Sequence, residues 1–209
     1  MSEIIDLVWA GGPVAIVLIV LSIVAAALSL FKSWQFFTGG VGRHSGLGQA
    51  LTVLSQGQRD VALRMLDGKT NPAARILQHA MQNAPAFANI IDTAREDVMR
   101  VAQEELRELR RYLRGIEVIA QSAPLLGLLG TVIGMIQAFS QLEAAGAAVD
   151  PSRLAGGIWT ALLATALGLA IAIVFSIVGA WLEGRVENER SVIETTLSGY
   201  FAQAARIES

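Results

Sequence analysis

Three stretches of this chain carry no charged residue, and each is long enough to cross a bilayer. They run Leu7–Phe31, Val118–Leu142 and Leu154–Leu182, at 25, 25 and 29 residues. A helix needs about 20 predominantly apolar residues to span the hydrocarbon core. In that layer the backbone must satisfy its own hydrogen bonds, which a helix does within one segment. The expected fold is therefore an all-α integral membrane protein with three transmembrane helices. Charged residues are only 16% of the chain, well below the roughly 25% of an ordinary soluble domain.

Lys and Arg set the expected topology. None precedes the first span, twelve lie in Lys32–Arg114, Arg153 stands alone between spans two and three, and Arg185, Arg190 and Arg206 follow the third. Basic residues near span ends stay on the cytoplasmic side. This predicts a periplasmic N-terminus (1–12), a first span (13–31), a cytoplasmic helical loop (32–117) and a second span (118–142). A short periplasmic loop (143–154), a third span (155–182) and a cytoplasmic helical tail (183–209) complete the order. The leader has Glu3 and Asp6 but no basic residue, and the first apolar run exceeds the ~7–15 residues of a signal core. It reads as a retained helix, and with no ionisable residue inside it, as a lipid-facing anchor. Trp9, Trp34, Trp159 and Trp181 fall at or near span ends, where amphipathic rings favour the headgroup level.

The large loop is too regular to be a linker. Gly39–Gly46 reads as a break, Leu47–Leu66 as a helix ended by Asp67-Gly68, and Pro72–Asn83 as another stopped by Pro85. From Asn89 the pattern predicts one long amphipathic rod entering the membrane as far as Pro124. Ala94, Val98, Val101, Leu109, Leu113 and Ile116 recur on one face, and at 1.5 Å per residue the rod would extend about 40 Å below the bilayer. Glu96–Arg100, Glu104–Arg107 and Glu108–Arg111 have the spacing of helical ion pairs.

Much chemistry is excluded. The chain has no cysteine, and its two histidines, His44 and His79, lack acidic partners at metal-ligand spacing, so neither a metal site nor a cofactor is expected. The glycine-rich Gly39–Gly46 lacks the Lys-Ser/Thr ending of a phosphate loop. The basic cluster Arg107–Arg114 is interleaved with Glu104, Glu105 and Glu108, which suits a solvated face beside anionic membrane lipids and not nucleic acid. No nucleophile arrangement appears, and no enzyme activity is expected.

Spans two and three hold the informative residues. Pro124, Gly127, Thr131, Gly134 and Ala138 share one helical face, and Ala161, Thr165, Gly168, Ala172, Ser176 and Gly179 share another. Stripes of small residues let membrane helices approach closely, and a threonine hydroxyl can bond its own helix. Two matched stripes also suit a narrow polar path or a seat for a partner helix. Neither span holds an acid, so a proton relay needs a carboxylate from another polypeptide.

The segments Ala123–Phe139 (APLLGLLGTVIGMIQAF) and Leu154–Ile173 (LAGGIWTALLATALGLAIAI) resemble the two signature helices of the TolQ/ExbB/MotA proton-channel family. Three spans with a large loop after the first resemble the TolQ/ExbB branch. The resemblance is tight over Ala120–Ala180. It implies a homo-oligomeric ring, a pentamer in this branch, enclosing single-span helices of an ExbD/TolR-type partner whose intramembrane aspartate carries the proton. It also implies that the threonines matching Thr131 and Thr165 line the path. A TonB- or TolA-type protein would receive the work, in outer-membrane import or Tol-Pal-like envelope maintenance. One departure stands out. ExbB-like members often carry a glutamate in Gly-Ile-x-Glu-Ala-Leu where this chain has Thr160. Helical spacing sets Thr160 about 140° from Thr165, toward a neighbouring subunit. Without that glutamate, proton and sodium both remain open as the ion. The first reading is thus an ion-conducting, proton-driven motor subunit. The second, of a different class, is a non-conducting membrane scaffold whose loop recruits partners.

Overall fold

The computed structural model describes residues 12–83, 91–145 and 151–207. Seven helices occupy them: α1 (Gly12–Thr38), α2 (Leu47–Ser55), α3 (Arg59–Leu66), α4 (Pro72–Asn83), α5 (Ile91–Arg110), α6 (Leu113–Ala145) and α7 (Pro151–Ile207). No strand occurs among the described residues. The expected leader with Trp9, the stop at Pro85, the helix start at Asn89 and the centre of the 143–154 loop lie outside them. The chain divides into two compact units, Met1–Phe31 with Tyr112–Ala180, and Lys32–Arg111 with Trp181–Ser209.

The first unit contains the apolar parts of α1, α6 and α7. Among the described residues three helices are long and apolar enough to cross a membrane, as the uncharged runs predict. Only 28%, 33% and 28% of their most apolar windows are buried, so most of that surface is left for lipid or for other chains. α1 is more than an anchor. Ala15, Leu18 and Ala25 are fully buried along one edge, and Val14 and Leu18 pack with Ala123 of α6 and Ala172 of α7. The other side of α1, from Val17 and Val20 to Ile23 and Leu30, is exposed.

The predicted rod from Asn89 to Pro124 is interrupted in one place and extended in another. α5 ends at Arg110 and α6 starts at Leu113, and between them Tyr112 takes a left-handed φ of 70°. Hydrophobic periodicity passes through such a break unmarked, because a single left-handed residue redirects the backbone without changing residue type. The Tyr112 ring meets Phe31 edge-on at 6.1 Å. α6 then runs through Pro124 instead of stopping there. Proline removes one helical N–H, a loss that membrane helices tolerate where neighbouring helices pack over the site.

The second unit is a small helical domain with its own core. Leu47, Ala50 and Leu54 of α2, Leu66 of α3, Ile76, Leu77 and Met81 of α4 and Val98 of α5 close on Ile193, Leu197 and Tyr200 of α7. Here too one expected helix is two. Leu47–Leu66 breaks at Gly57, whose φ of 77° and N–H bond to Leu54 O end α2 in a left-handed glycine turn before α3 begins. The break expected at Gly39–Gly46 is real: Gly40, Gly42 and Gly46 all have positive φ. That segment is fixed by Glu189 of α7, whose side chain is fully buried. Glu189 accepts the Gly42 N–H at 2.9 Å, the Ala73 N–H at 3.4 Å and the His44 ring at 2.9 Å. Asn71 adds a bond to Gly40 O at 3.0 Å. The fold thus gives His44 a carboxylate 145 residues away, and gives His79 Asp97 at 2.9 Å. Of the expected ion pairs on α5, Arg111–Glu108 forms at 3.6 Å, whereas Arg100 reaches Asp97 and Glu104 rather than Glu96.

Candidate functional site: the α6–α7 seam

Small residues on α6 and α7 let the two backbones come almost into contact. A Cβ placed on Gly127 would sit 3.0 Å from both Ala164 O and Thr165 Cα. One on Gly134 would meet the Ala161 Cβ at 2.9 Å, one on Gly157 the Ala138 Cβ at 2.7 Å, and one on Gly168 the Ala123 carbonyl oxygen at 2.5 Å. The stripe read from sequence is therefore spent within the chain. Gly127 packs against Gly168, Gly134 against Ala161 and Ala138 against Gly157, with Ala172 and Ala123 sharing a cluster with Val14 and Leu18 of α1.

The buried ridge differs slightly from the helical-wheel face. On α6 it is Ala123, Gly127, Gly130, Gly134 and Ala138, all buried, while Pro124 and Thr131 are half-buried. On α7 it includes Ala164, 1% exposed, and excludes Ser176, which is exposed. Gly130 and Ala164 were missed because the wheel used one residue per turn. Their signal was in the sequence, as a second small residue three positions along in each stripe.

The two threonines occupy different environments. Thr165 faces the seam and donates its hydroxyl across it to Gly127 O at 2.9 Å. Thr131 donates within α6 to Leu128 O at 2.6 Å. It lies on a separate open groove of 590 Å³ along α6, lined with Val132, Met135, Ile136, Phe139, Ser140 and Glu143. They are linked through one peptide group. In a helix the Thr131 N–H points to the carbonyl four residues back, at Gly127, which is the acceptor of Thr165. Thr160 bonds its own helix at Gly156 O, 3.0 Å away.

The site is thus a close-packed, uncharged seam crossed by the Thr165 hydroxyl, beside a mainly apolar groove with the Thr131 hydroxyl at one end and Ser140 and the Glu143 carboxylate toward the other. Neither span contributes an ionisable group to it. Among the described residues no cluster of His, Cys, Asp or Glu could hold a metal ion.

Residues 68–195 match the model of the MotA/TolQ/ExbB proton channel family, across the whole of α6 and most of α7. The chain belongs to this family. Among relatives, a biopolymer transport protein ExbB homolog of Methanothermobacter thermautotrophicus is 35% identical over 133 residues, 64% of this chain and 46% of that protein. A biopolymer transport protein ExbB-like protein of Synechocystis is 29% identical over 165 residues, 78% of this chain and 77% of the relative. The biopolymer transport protein ExbB of Aquifex aeolicus is 36% identical over 103 residues, 49% of this chain and 68% of the relative. The chain therefore spans less than half of the archaeal relative. Family membership and three apolar helices together make this a multi-pass membrane protein.

Proposed function

We propose that this chain is the proton-conducting subunit of an inner-membrane motor that turns ion motive force into work on the cell envelope. Its partner is an ExbD/TolR-type single-span protein with an aspartate in its membrane segment. The observation that carries the reading is the chemistry of the two spans: hydroxyls are present where a path would run, and no carboxylate is present to hold a proton. The groove along α6 offers an apolar bed with Thr131 in it, which suits a helix bearing a group that alternates between charged and neutral. Neutralising a buried carboxylate removes a large desolvation cost. It also lets the partner helix shift against the groove. One charge crossing 100 mV releases about 2.3 kcal/mol, the scale of repacking a few side chains.

The large loop and tail lie in the cytoplasm and the N-terminus in the periplasm, following the basic residues at the span ends. Several copies form a ring, which buries the apolar surface that a single chain leaves open. A TonB- or TolA-type protein is the recipient of the work. Extraction from native membranes in mild detergent tests this reading. A stoichiometric single-span protein with one intramembrane aspartate is expected. A homo-oligomer recovered alone and reproducibly would remove the proton carrier and favour the scaffold.

A further inference from the structure

The second unit holds a cavity that the family chemistry does not use. It has a volume of 270 Å³ and lies between the end of α1, the glycine segment and the start of the α7 extension. Ser33, Phe37, Gly42, Arg43, Trp181 and Arg185 are among the residues that line it. Each arginine lies over an aromatic face, Arg43 over Phe37 at 5.3 Å and Arg185 over Trp181 at 5.2 Å. Stacking fixes the guanidinium planes and leaves their N–H edges free to donate. Neither arginine has a carboxylate partner among the described residues, although Arg75, Arg100, Arg110, Arg111 and Arg190 all do. The nearby carboxylate, Glu189, is one helical turn from Arg185 but is committed to the Gly42 N–H and His44.

The position of the cavity along the chain points to the ligand. Ser33 and Phe37 follow directly on the first uncharged run, and Trp181 closes the third. Trp34, Phe37 and Trp181 are exposed by 72%, 71% and 52%, as expected of rings at the headgroup level. Glycine at position 42 suits its φ of 85°, and the Arg185 guanidinium lies against it, 3.0 Å from where a Cβ would sit.

We propose that Arg43 and Arg185 form a binding site for a phosphate-bearing anion, supplied by the headgroup of an anionic phospholipid. The two guanidiniums take the phosphate oxygens in charge-assisted bonds, and the Ser33 hydroxyl is the polar group beside them. The acyl chains would lie along Phe37 and Trp181. The lipid would fasten the end of α1 and the Trp181–Arg185 turn of α7 to the glycine segment that Glu189 also holds.

The test uses the full chain in detergent with equal amounts of phosphatidylglycerol and phosphatidylcholine, read by native mass spectrometry. Wild type is expected to retain phosphatidylglycerol selectively. Arg43→Gln with Arg185→Gln is expected to weaken that retention roughly thirtyfold, given the contribution of each basic residue near a lipid surface. Arg64→Gln with Arg107→Gln removes the same charge from exposed positions of the same unit and is expected to change little. If the glutamine pair loses its helical circular dichroism, Arg43→Lys with Arg185→Lys replaces it. That pair keeps the charge, loses the fork geometry and should show an intermediate loss. Displacement of the lipid by millimolar inorganic phosphate would assign the same site to a free phosphate. Equal retention in the site pair and the control pair, or no preference for the anionic lipid in wild type, would overturn the proposal.

Discussion

Gly168 and Thr165 carry the α6–α7 contact, and each can be tested alone. A Cβ at position 168 would lie 2.5 Å from a backbone oxygen, which cannot swing aside as a side chain can. Gly168→Ala is expected to cost about 1–3 kcal/mol through overpacking, read as a lower unfolding temperature in detergent. Gly184→Ala has nothing within 4 Å and is expected to be neutral or to stabilise by up to ~1 kcal/mol, since alanine favours helix. Thr165→Val removes the bond to Gly127 O, worth about 0.6 kcal/mol and at most ~1.7 in a membrane helix pair. Thr131→Val breaks only a local bond and should leave the unfolding temperature unchanged. A motor makes both variants lose activity, but only Thr165→Val also loses stability, so comparing the two separates conduction from packing. Which residues were small and which were hydroxylic was legible in the sequence. Which threonine faced the seam was not, because each sits mid-way along a small-residue stripe of its own helix, and the rotation of the two helices against each other decides which one points across.

At the scale of elements, apolar periodicity and stop signals mark Pro72–Asn83 residue for residue, but they pass over the joints inside Leu47–Leu66 and at Tyr112. The break at Gly57 has a readable cause, a glycine at a helix C-terminus, and the Gln56-Gly57-Gln58 sequence advertises it. The break at Tyr112 has none, since a tyrosine with positive φ is held by its surroundings and not by its own preference. Long-range polar pairing was equally hidden. Glu189 sits in a run of alternating charges that reads as a solvated face, yet it is the buried anchor of the glycine segment. Glu189→Ala strips the partners from the Gly42 and Ala73 amides and from His44. It is expected to destabilise the second unit by roughly 2–4 kcal/mol, in line with losing hydrogen bonds to a buried charge. Differential protection of α2–α4 amides in hydrogen exchange reads this out. Glu189→Gln keeps an acceptor and should lose less.

For the whole molecule, the three uncharged runs predict three membrane helices, and three helices among the described residues are long and apolar enough to be them. The same runs leave two thirds or more of their best windows uncovered, surface that lipid or other chains can cover. Under the proposal, the partner helix takes part of it. The most direct measurement is proton flux into liposomes under an imposed pH gradient and voltage, with and without the co-purifying single-span protein. The account predicts flux only when both are present, loss when the partner aspartate becomes asparagine, and strong reduction in Thr131→Val despite normal assembly. Equal flux from this chain alone, or wild-type flux without the partner carboxylate, would contradict it.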